Sequence, residues 1–423
     1  MLKRLLNRSD FIKSSFTLIF GTALAQLIPI ALQPILRRWY TPEEFGVIAV
    51  YLSIVGMVVV AANLRYESTV ILPKEDDKAS NLVFGSFIIS LFFSLILFLA
   101  FLFFGKDLIL LLSLPQEIEK WLLMIPLSVF VISCSRTLDF WLTRKKAFRA
   151  SAVNKVARRS SEGTVQLLGV SAKSSGLIAA SIIGDSVNLF VSLIQSIKHG
   201  LNFKTYKITT IKEQLKKYVE FPKYSTIPTL LNSVSLLLPV IIINQFYAAE
   251  ITGHFDLSRQ MLALPMALIS VAVSKVLIQK IVEYKQNSKR ITKLVTRIAL
   301  SLAAMSVIGI IIIELFGIQL FSFIFGEDCS FSGKITQILI FSYAVKFVVS
   351  PLTSVFIALE KIKISSIWQV CYFLIICCLY FLKDYSIEEF LLLYIAIDIV
   401  AYVIYYLLLI YICKGYEKTI AHD

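Results

Sequence analysis

SNLVFGSFIISLFFSLILFLAFLFF, residues 80–104, runs for 25 residues without a charged side chain. About 20 apolar residues in a helix cross the hydrocarbon layer of a bilayer, so this stretch reads as a membrane span. Working outward, further apolar stretches fall near residues 14–36, 44–63, 117–140, 151–171, 175–197, 222–247, 253–278, 294–317, 335–358, 364–382 and 388–412, which makes twelve. Hydrophobic residues form 57% of the chain and charged residues 17%. No single soluble core hides that much apolar surface, and the expected fold is an all-α polytopic membrane protein. Lys3, Arg4 and Arg8 precede the first apolar run, which is longer than a signal peptide's, so it reads as a retained span.

The formal net charge of +14 suggests nucleic acid in a soluble protein, but its distribution along the chain argues otherwise. Of 42 basic residues, 28 fall in connectors on one side: around Lys3 to Lys13, Arg65 to Lys78, Arg144 to Lys155, Lys198 to Lys223, Lys280 to Lys293, Lys361 and Lys363, and Lys414 and Lys418. The other side holds seven, Arg37, Arg38, Lys106, Lys120, Lys173, Lys334 and Lys383. The positive-inside rule then places both termini in the cytoplasm and removes nucleic acid as a partner.

The longest polar connector, about residues 198–221, follows the sixth span. Its Ile208–Val219 part has the pattern of an amphipathic helix resting on anionic headgroups. The expected organisation is a six-helix lobe over 1–200, a cytoplasmic linker over 201–221 and a second six-helix lobe over 222–423. The two lobes echo one another. Tyr40, Glu43 and Gly46 of Tyr40-Thr41-Pro42-Glu43-Glu44-Phe45-Gly46 recur as Tyr247, Glu250 and Gly253 at a constant offset of 207 residues. Val131-Ile132-Ser133 pairs with Val348-Val349-Ser350. An even number of spans per repeat gives a pseudo-two-fold axis along the membrane normal, an arrangement typical of transporters.

Several spans depart from plain hydrophobicity. Span one carries Gln26, Pro29, Gln33 and Pro34; span seven carries Pro222, Pro228, Asn232 and Pro239. Span eight has Asp256, Arg259, Gln260 and Pro265, and span five has Asn154, Arg158, Arg159, Glu162 and Gln166. Polar, bent spans are expected to face an internal cavity, while plain spans such as three, nine and eleven face lipid. Intramembrane charge is costly, so each such residue is a candidate. Asp256 with Arg259, and Arg158 with Glu162, have helical pairing distance. Arg136 either pairs with Asp139 or meets a ligand. Arg297 is placed to snorkel. Lys275 and Lys346 sit in apolar segments as candidate cavity cations. Asp185, Asp256 and Asp398 are candidate ion-coupling carboxylates, or internal partners of the cations. The adjacent Asp76 and Asp77 read as a solvated turn. Six cysteines and three scattered histidines form no disulfide framework or metal site, and there is no phosphate-cradling glycine loop, so no cofactor and no direct use of ATP are expected.

The block Ala62-Asn63-Leu64-Arg65-Tyr66-Glu67 to Leu72-Pro73-Lys74-Glu75-Asp76, followed by Ala79 and Asn81, resembles the span-two signature of bacterial Wzx-type polysaccharide flippases, members of the multidrug/oligosaccharidyl-lipid/polysaccharide exporter superfamily. Gly21, Gln26, Pro34 and the Tyr40–Gly46 segment are similar to that family's first span and connector. These signatures cover roughly residues 14–85. The resemblance implies a V-shaped pair of lobes, alternating access and no enzymatic activity. It implies an undecaprenyl-pyrophosphate-linked oligosaccharide, carried from the cytoplasmic to the periplasmic leaflet of the inner membrane for O-antigen, capsule or exopolysaccharide. Other polysaccharide-assembly proteins and membrane lipids are the implied partners. On this reading Arg65 and Arg259 hold the anionic head, with Lys275, Lys346, Arg158 and Arg159 as further cations. A multidrug exporter of the same superfamily is the first alternative, although its usual cationic cargo calls for an acidic cavity. A membrane-embedded polysaccharide polymerase is the second, although the outer connectors are short for exposed catalytic loops.

Overall fold

The computed structural model describes residues 26–203 and 206–422. The start of the first span with Gly21, the basic residues Lys3, Arg4, Arg8 and Lys13, and Lys204 lie outside the described residues. Within them the regular structure is helical throughout. Contacts divide the chain into two compact units, Met1–Leu237 and Leu238–Asp423.

The first unit opens with α1, residues 26–39, which stays helical through Pro29 and Pro34. Helix α2, Pro42–Val58, starts on a capping box. The Thr41 side chain accepts from the Glu44 amide, the Glu44 carboxylate accepts from the Thr41 amide, and Pro42 occupies the first turn. The Tyr40–Gly46 motif is therefore a helix start. After α2 the chain turns through Leu64 and Arg65, both at positive φ (48° and 64°), into a short 3-10 helix, Tyr66–Ile71. Then come α3 (Asp76–Leu111), α4 (Gln116–Leu122), α5 (Ile125–Arg144), α6 (Phe148–Leu168), α7 (Ser174–Lys198) and α8 (Ile208–Lys217).

Two expectations are adjusted in this unit. Asp76 and Asp77 are exposed, as expected of a solvated pair, but they open α3 and Asp76 is tied to α5. The Arg144 guanidinium at the end of α5 donates to Asp76 Oδ1 from Nε (3.1 Å) and Nη2 (3.0 Å), and to the carbonyls of Pro73 and of Lys74 (3.1 Å). Lys145 pairs with the other Asp76 oxygen. The apolar face of α8 is turned to protein rather than to headgroups. Ile211 and Gln214 are buried. A Cβ at Gly85 of α3 would lie 3.2 Å from both Ile211 and Leu215, so the missing side chain makes the seat. The Tyr66 hydroxyl donates to the Leu215 carbonyl (2.9 Å), and the Lys207 amide donates to Asn81 Oδ1 (3.0 Å).

Helix α9, Ile227–Gln286, leads from the first unit into the second and is broken at Ala248 (φ 79°, ψ 170°). It therefore holds spans seven and eight. The second unit continues with α10 (Thr292–Phe325), α11 (Ser330–Leu352), α12 (Ser354–Ala358), α13 (Ile362–Cys377) and α14 (Ile387–His422). Among the described residues eight helices are long and apolar enough to cross a membrane, counting Pro222–Gln286 as one. Splitting that one at Ala248 and adding the described part of span one, the 17-residue α2 and the polar α6 restores twelve spans, six in each half.

The repeat has a physical counterpart. Tyr40 donates its hydroxyl to the Gln166 carbonyl (2.7 Å) at the end of span five, and Tyr247 donates to the Tyr385 carbonyl (2.8 Å) just beyond span eleven. Equivalent tyrosines thus tie equivalent connectors. The plain spans present their side chains outward, as Phe103 of α3 (72% exposed) and Phe323 of α10 (81%) do, which is the pattern of lipid-facing helices.

Helices α6 and α7 meet closely where they are joined, because a Cβ at Gly176 would overlap the Gly169 carbonyl oxygen. Gly176→Ala is expected to cost about 1–3 kcal/mol of stability through overpacking. Gly309→Ala in α10 meets nothing within 4 Å and serves as the control. Thermal unfolding of the detergent-solubilised protein checks this, and equal melting temperatures for the two variants would refute it.

Candidate functional site

Helix α6 is polar for a membrane helix, and its polar residues are periodic. Ser151, Asn154, Arg158 and Glu162 recur every three to four positions and so share one face. On α7, Asp185, Asn188 and Ser192 do the same. The two stripes face each other: Asn154 Nδ2 donates to Ser192 Oγ (2.9 Å), and Arg158 Nε lies 2.5 Å from Asp185 Oδ1. Helices α2 and α5 close the space into a cavity of about 350 Å³. Leu52, Val55 and Gly56 form its apolar wall, and Arg136, Asp139, Lys155 and Arg158 bring charge into it.

The expected pairs form differently. Arg158 takes Asp185 of the next helix rather than Glu162, and Glu162 takes Arg159 (2.8 Å). An interhelical partner within direct contact wins over one on the same helix. Asp139 does not pair with Arg136; it accepts a hydrogen bond from Ser151 (2.7 Å). Arg136 is exposed to the cavity and makes no direct ion pair among the described residues. Its carboxylate neighbour Glu67 acts on it only through the field. Glu67 itself is buried and lies 3.4 Å from Arg65, which is partly exposed. Arg65, Arg136 and Arg158 thus follow one another through the first unit, linked by Glu67 and Asp185.

The second unit holds a contrasting cluster. Asp398 in α14 is fully buried, pairs with Lys346 of α11 and accepts from the Tyr372 hydroxyl (2.6 Å). Lys346 Nζ also lies 5.1 to 5.7 Å from the ring centres of Tyr343, Tyr402 and Tyr394. An ammonium held by a carboxylate and three aromatic faces is desolvated and spoken for. Lys346 is 4% exposed and does not line an open cavity, in contrast to its expected role. Arg259 pairs with Asp256 (2.8 Å), as its spacing predicted, and Gln260 donates to the other Asp256 oxygen. Lys275 is exposed, sixteen residues from Arg259, about 24 Å along the helix, so the two form no common site.

Three carboxylates expected to couple ions therefore neutralise three cations expected to bind substrate: Asp185 with Arg158, Asp256 with Arg259, Asp398 with Lys346. Of the two readings of Arg136, the pair with Asp139 does not form; Lys155, read as a connector cation, lies on the cavity wall, and the period of α6 already put Asn154 on the polar face.

The polysaccharide biosynthesis protein family matches residues 35–329. The chain belongs to this family. The resemblance carried by the span-two signature is thereby shown at family level. No curated protein matches the sequence significantly. Among solved structures, an inward-facing multidrug resistance MATE family transporter of the MOP superfamily is similar at 13% identity and TM-score 0.75, covering 93% of this chain and 96% of that one. The lipid II flippase MurJ in an inward closed conformation is similar at 17% identity and TM-score 0.69, covering 91% and 86%. A MOP superfamily transporter from Pyrococcus furiosus, described by the reverse polarity of its binding pocket, is similar at 12% and 0.64, covering 96% of each chain. At these identities the likeness establishes the fold: this member of the polysaccharide biosynthesis family is a multi-pass membrane protein built as MOP superfamily transporters are.

Asp398→Asn leaves Lys346 charged and unpaired in the core of the second unit. It is expected to cost about 3–5 kcal/mol, and adding Lys346→Met should recover most of that loss. Melting of the single and double variants checks this. A double variant no more stable than Asp398→Asn alone sinks the buried-pair account.

Proposed function

We propose that this polysaccharide biosynthesis family member is a flippase for lipid-linked oligosaccharide. Its cargo is an undecaprenyl-pyrophosphate-linked repeat unit, moved by alternating access from the cytoplasmic to the periplasmic leaflet of the bacterial inner membrane, with both termini cytoplasmic. The product feeds O-antigen, capsule or exopolysaccharide synthesis. The observation that carries this reading is Arg136, a cation without a direct ion-pair partner, set in a polar cavity within a membrane unit. A charge in that position needs water or an anionic ligand, and a pyrophosphate supplies bidentate acceptors for a guanidinium. Family membership and a fold shared with a lipid II flippase support the same cargo class.

The residues divide the work. Arg136 and Lys155 meet the pyrophosphate. Arg158 is held by Asp185 until the phosphate competes for it, which also gives Asp185 its part in any ion coupling. Asn154, Asn188 and Ser192 offer donors and acceptors to sugar hydroxyls. Arg65 and Arg159 extend the positive field. Arg259 with Asp256 and Lys346 with Asp398 are paired elements of the second unit, and the fully buried Asp398 serves packing rather than transport. Multidrug export remains the rival. Acidic Asp139 and Asp185 are its best feature, but each is already engaged, Asp139 by Ser151 and Asp185 by Arg158.

Arg136 gives the cleaner test, because its removal orphans no directly paired carboxylate. In a strain lacking its own transporter, Arg136→Ala is expected to lower glycan display roughly 10- to 100-fold, the worth of one hydrogen bond to a charged group. Arg136→Lys should retain part of it. Lipid-linked oligosaccharide should accumulate on the inner leaflet of the Arg136→Ala strain. Normal display by Arg136→Ala at equal protein level overturns the assignment.

A further inference from the structure

A second basic site lies in the other unit, apart from the proposed transport cavity. Helix α9 ends at Gln286, and the chain turns through Ser288 at φ 49° into α10. Lys289, Arg290, Lys293 and Arg297 gather there around a cavity of about 630 Å³, with Tyr284 and Glu417 in its wall. All four cations are exposed, and none forms an ion pair among the described residues. The one carboxylate, Glu417 of α14, is occupied by the Thr292 backbone amide (2.8 Å). Thr292 Oγ1, on the same wall, is buried and has no hydrogen-bond partner.

The two helices that build this pocket also build a second one. A cavity of about 390 Å³ lies between α10, α11 and α14, lined by Ala303, Ser306, Val348 and Val403 among other mostly apolar chains. From Arg297 to Ser306 is nine residues, about 14 Å of helix, against about 15 Å for the hydrocarbon of one leaflet. On α14, Glu417, Tyr406, Val403 and Ile399 are 11, 14 and 18 residues apart from the first, close to whole turns, so one face serves both cavities. The basic pocket sits at the end of a membrane span and the apolar one at acyl-chain depth.

We infer that the α10/α14 crevice binds a phosphate-headed lipid, its phosphate among Lys289, Arg290, Lys293 and Arg297 and its chain in the apolar cavity. A soluble anion has no use for the deeper cavity, and a zwitterionic headgroup gains little from four unpaired cations. The site is independent of the transport reading, because binding is measured without transport. Phosphatidylglycerol and undecaprenyl phosphate share the required chemistry, and the experiment separates them.

The full chain in detergent is titrated with dioleoyl phosphatidylglycerol, undecaprenyl phosphate, dioleoyl phosphatidylcholine and inorganic phosphate, and read by native mass spectrometry and by melting temperature. One or both phosphate-headed lipids should bind in preference to phosphatidylcholine, and the tighter of the two identifies the lipid. The double variant K293Q/R297Q should bind it about 30-fold more weakly, at two cations lost, while K212Q/K216Q on the exposed face of α8 binds as before. Ser306→Trp, which keeps every cation and fills the apolar cavity, should weaken long-chain lipid and leave dihexanoyl phosphatidylglycerol unchanged, so the test survives a misfolded double variant. Equal binding of phosphatidylcholine, displacement of the lipid by inorganic phosphate at matched concentration, or unchanged binding by K293Q/R297Q overturns the proposal.

Discussion

Hydrocarbon offers no water to a backbone amide and none to an ion. The first demand makes every crossing a helix and confines breaks to places where another group takes over. Thr41 and Glu44 satisfy the amides at the start of α2. Tyr40 and Tyr247 satisfy carbonyls at the connectors that follow spans five and eleven. Asn63, at the turn after α2, donates to the Ser133 carbonyl and Thr137 hydroxyl of α5, both at 2.9 Å. The start of α2 is thus answered locally, and the ties made by Tyr40, Tyr247 and Asn63 reach other elements and fix them against one another.

The second demand sorts the charges. Two interhelical pairs, Arg158–Asp185 and Lys346–Asp398, are alike in composition and opposite in setting. Arg158 keeps 30% of its side chain accessible and borders a cavity; Lys346 keeps 5% and is surrounded by rings. Water access decides what such a pair can do. At the open pair an anion in the cavity is able to reach the Arg158 guanidinium, although Asp185 itself is buried. The sealed pair has no such option, since either charge left alone costs several kcal/mol. The Arg158–Asp185 pair therefore borders an accessible polar surface, whereas the Lys346–Asp398 pair holds α11 to α14.

The plain spans were legible because their signal is bulk hydropathy, which packing does not alter; the polar α6 lies outside that signal. The start of α2 was legible as a motif, though its meaning as a capping box came only with the geometry. Pair choice was not legible. Spacing along one helix proposed Arg158 with Glu162 and Arg136 with Asp139, but a three-dimensional bundle offers each side chain a closer partner on the next helix. The partners of Asp76 were not legible for the same reason, since Arg144 and Lys145 lie 68 and 69 residues away in sequence. The fate of α8 depended on Gly85, one absent side chain on another helix.

The residues that carry the family resemblance show what such a signature records. Asn63 anchors to α5, Tyr66 to α8, Asn81 to the start of α8, and Pro73, Lys74 and Asp76 to Arg144. Of that block only Arg65 and Glu67 lie in the electrostatic line toward the cavity. The signature is mostly a joint: it seats the end of α2, the start of α3, the end of α5 and the linker helix together. A joint of this kind serves any cargo. On the flippase reading proposed above, substrate choice falls to the polar stripes of α6 and α7 and to Arg136, positions outside the signature. That division explains how a sequence can declare its family through residues 62–81 while leaving its cargo unnamed.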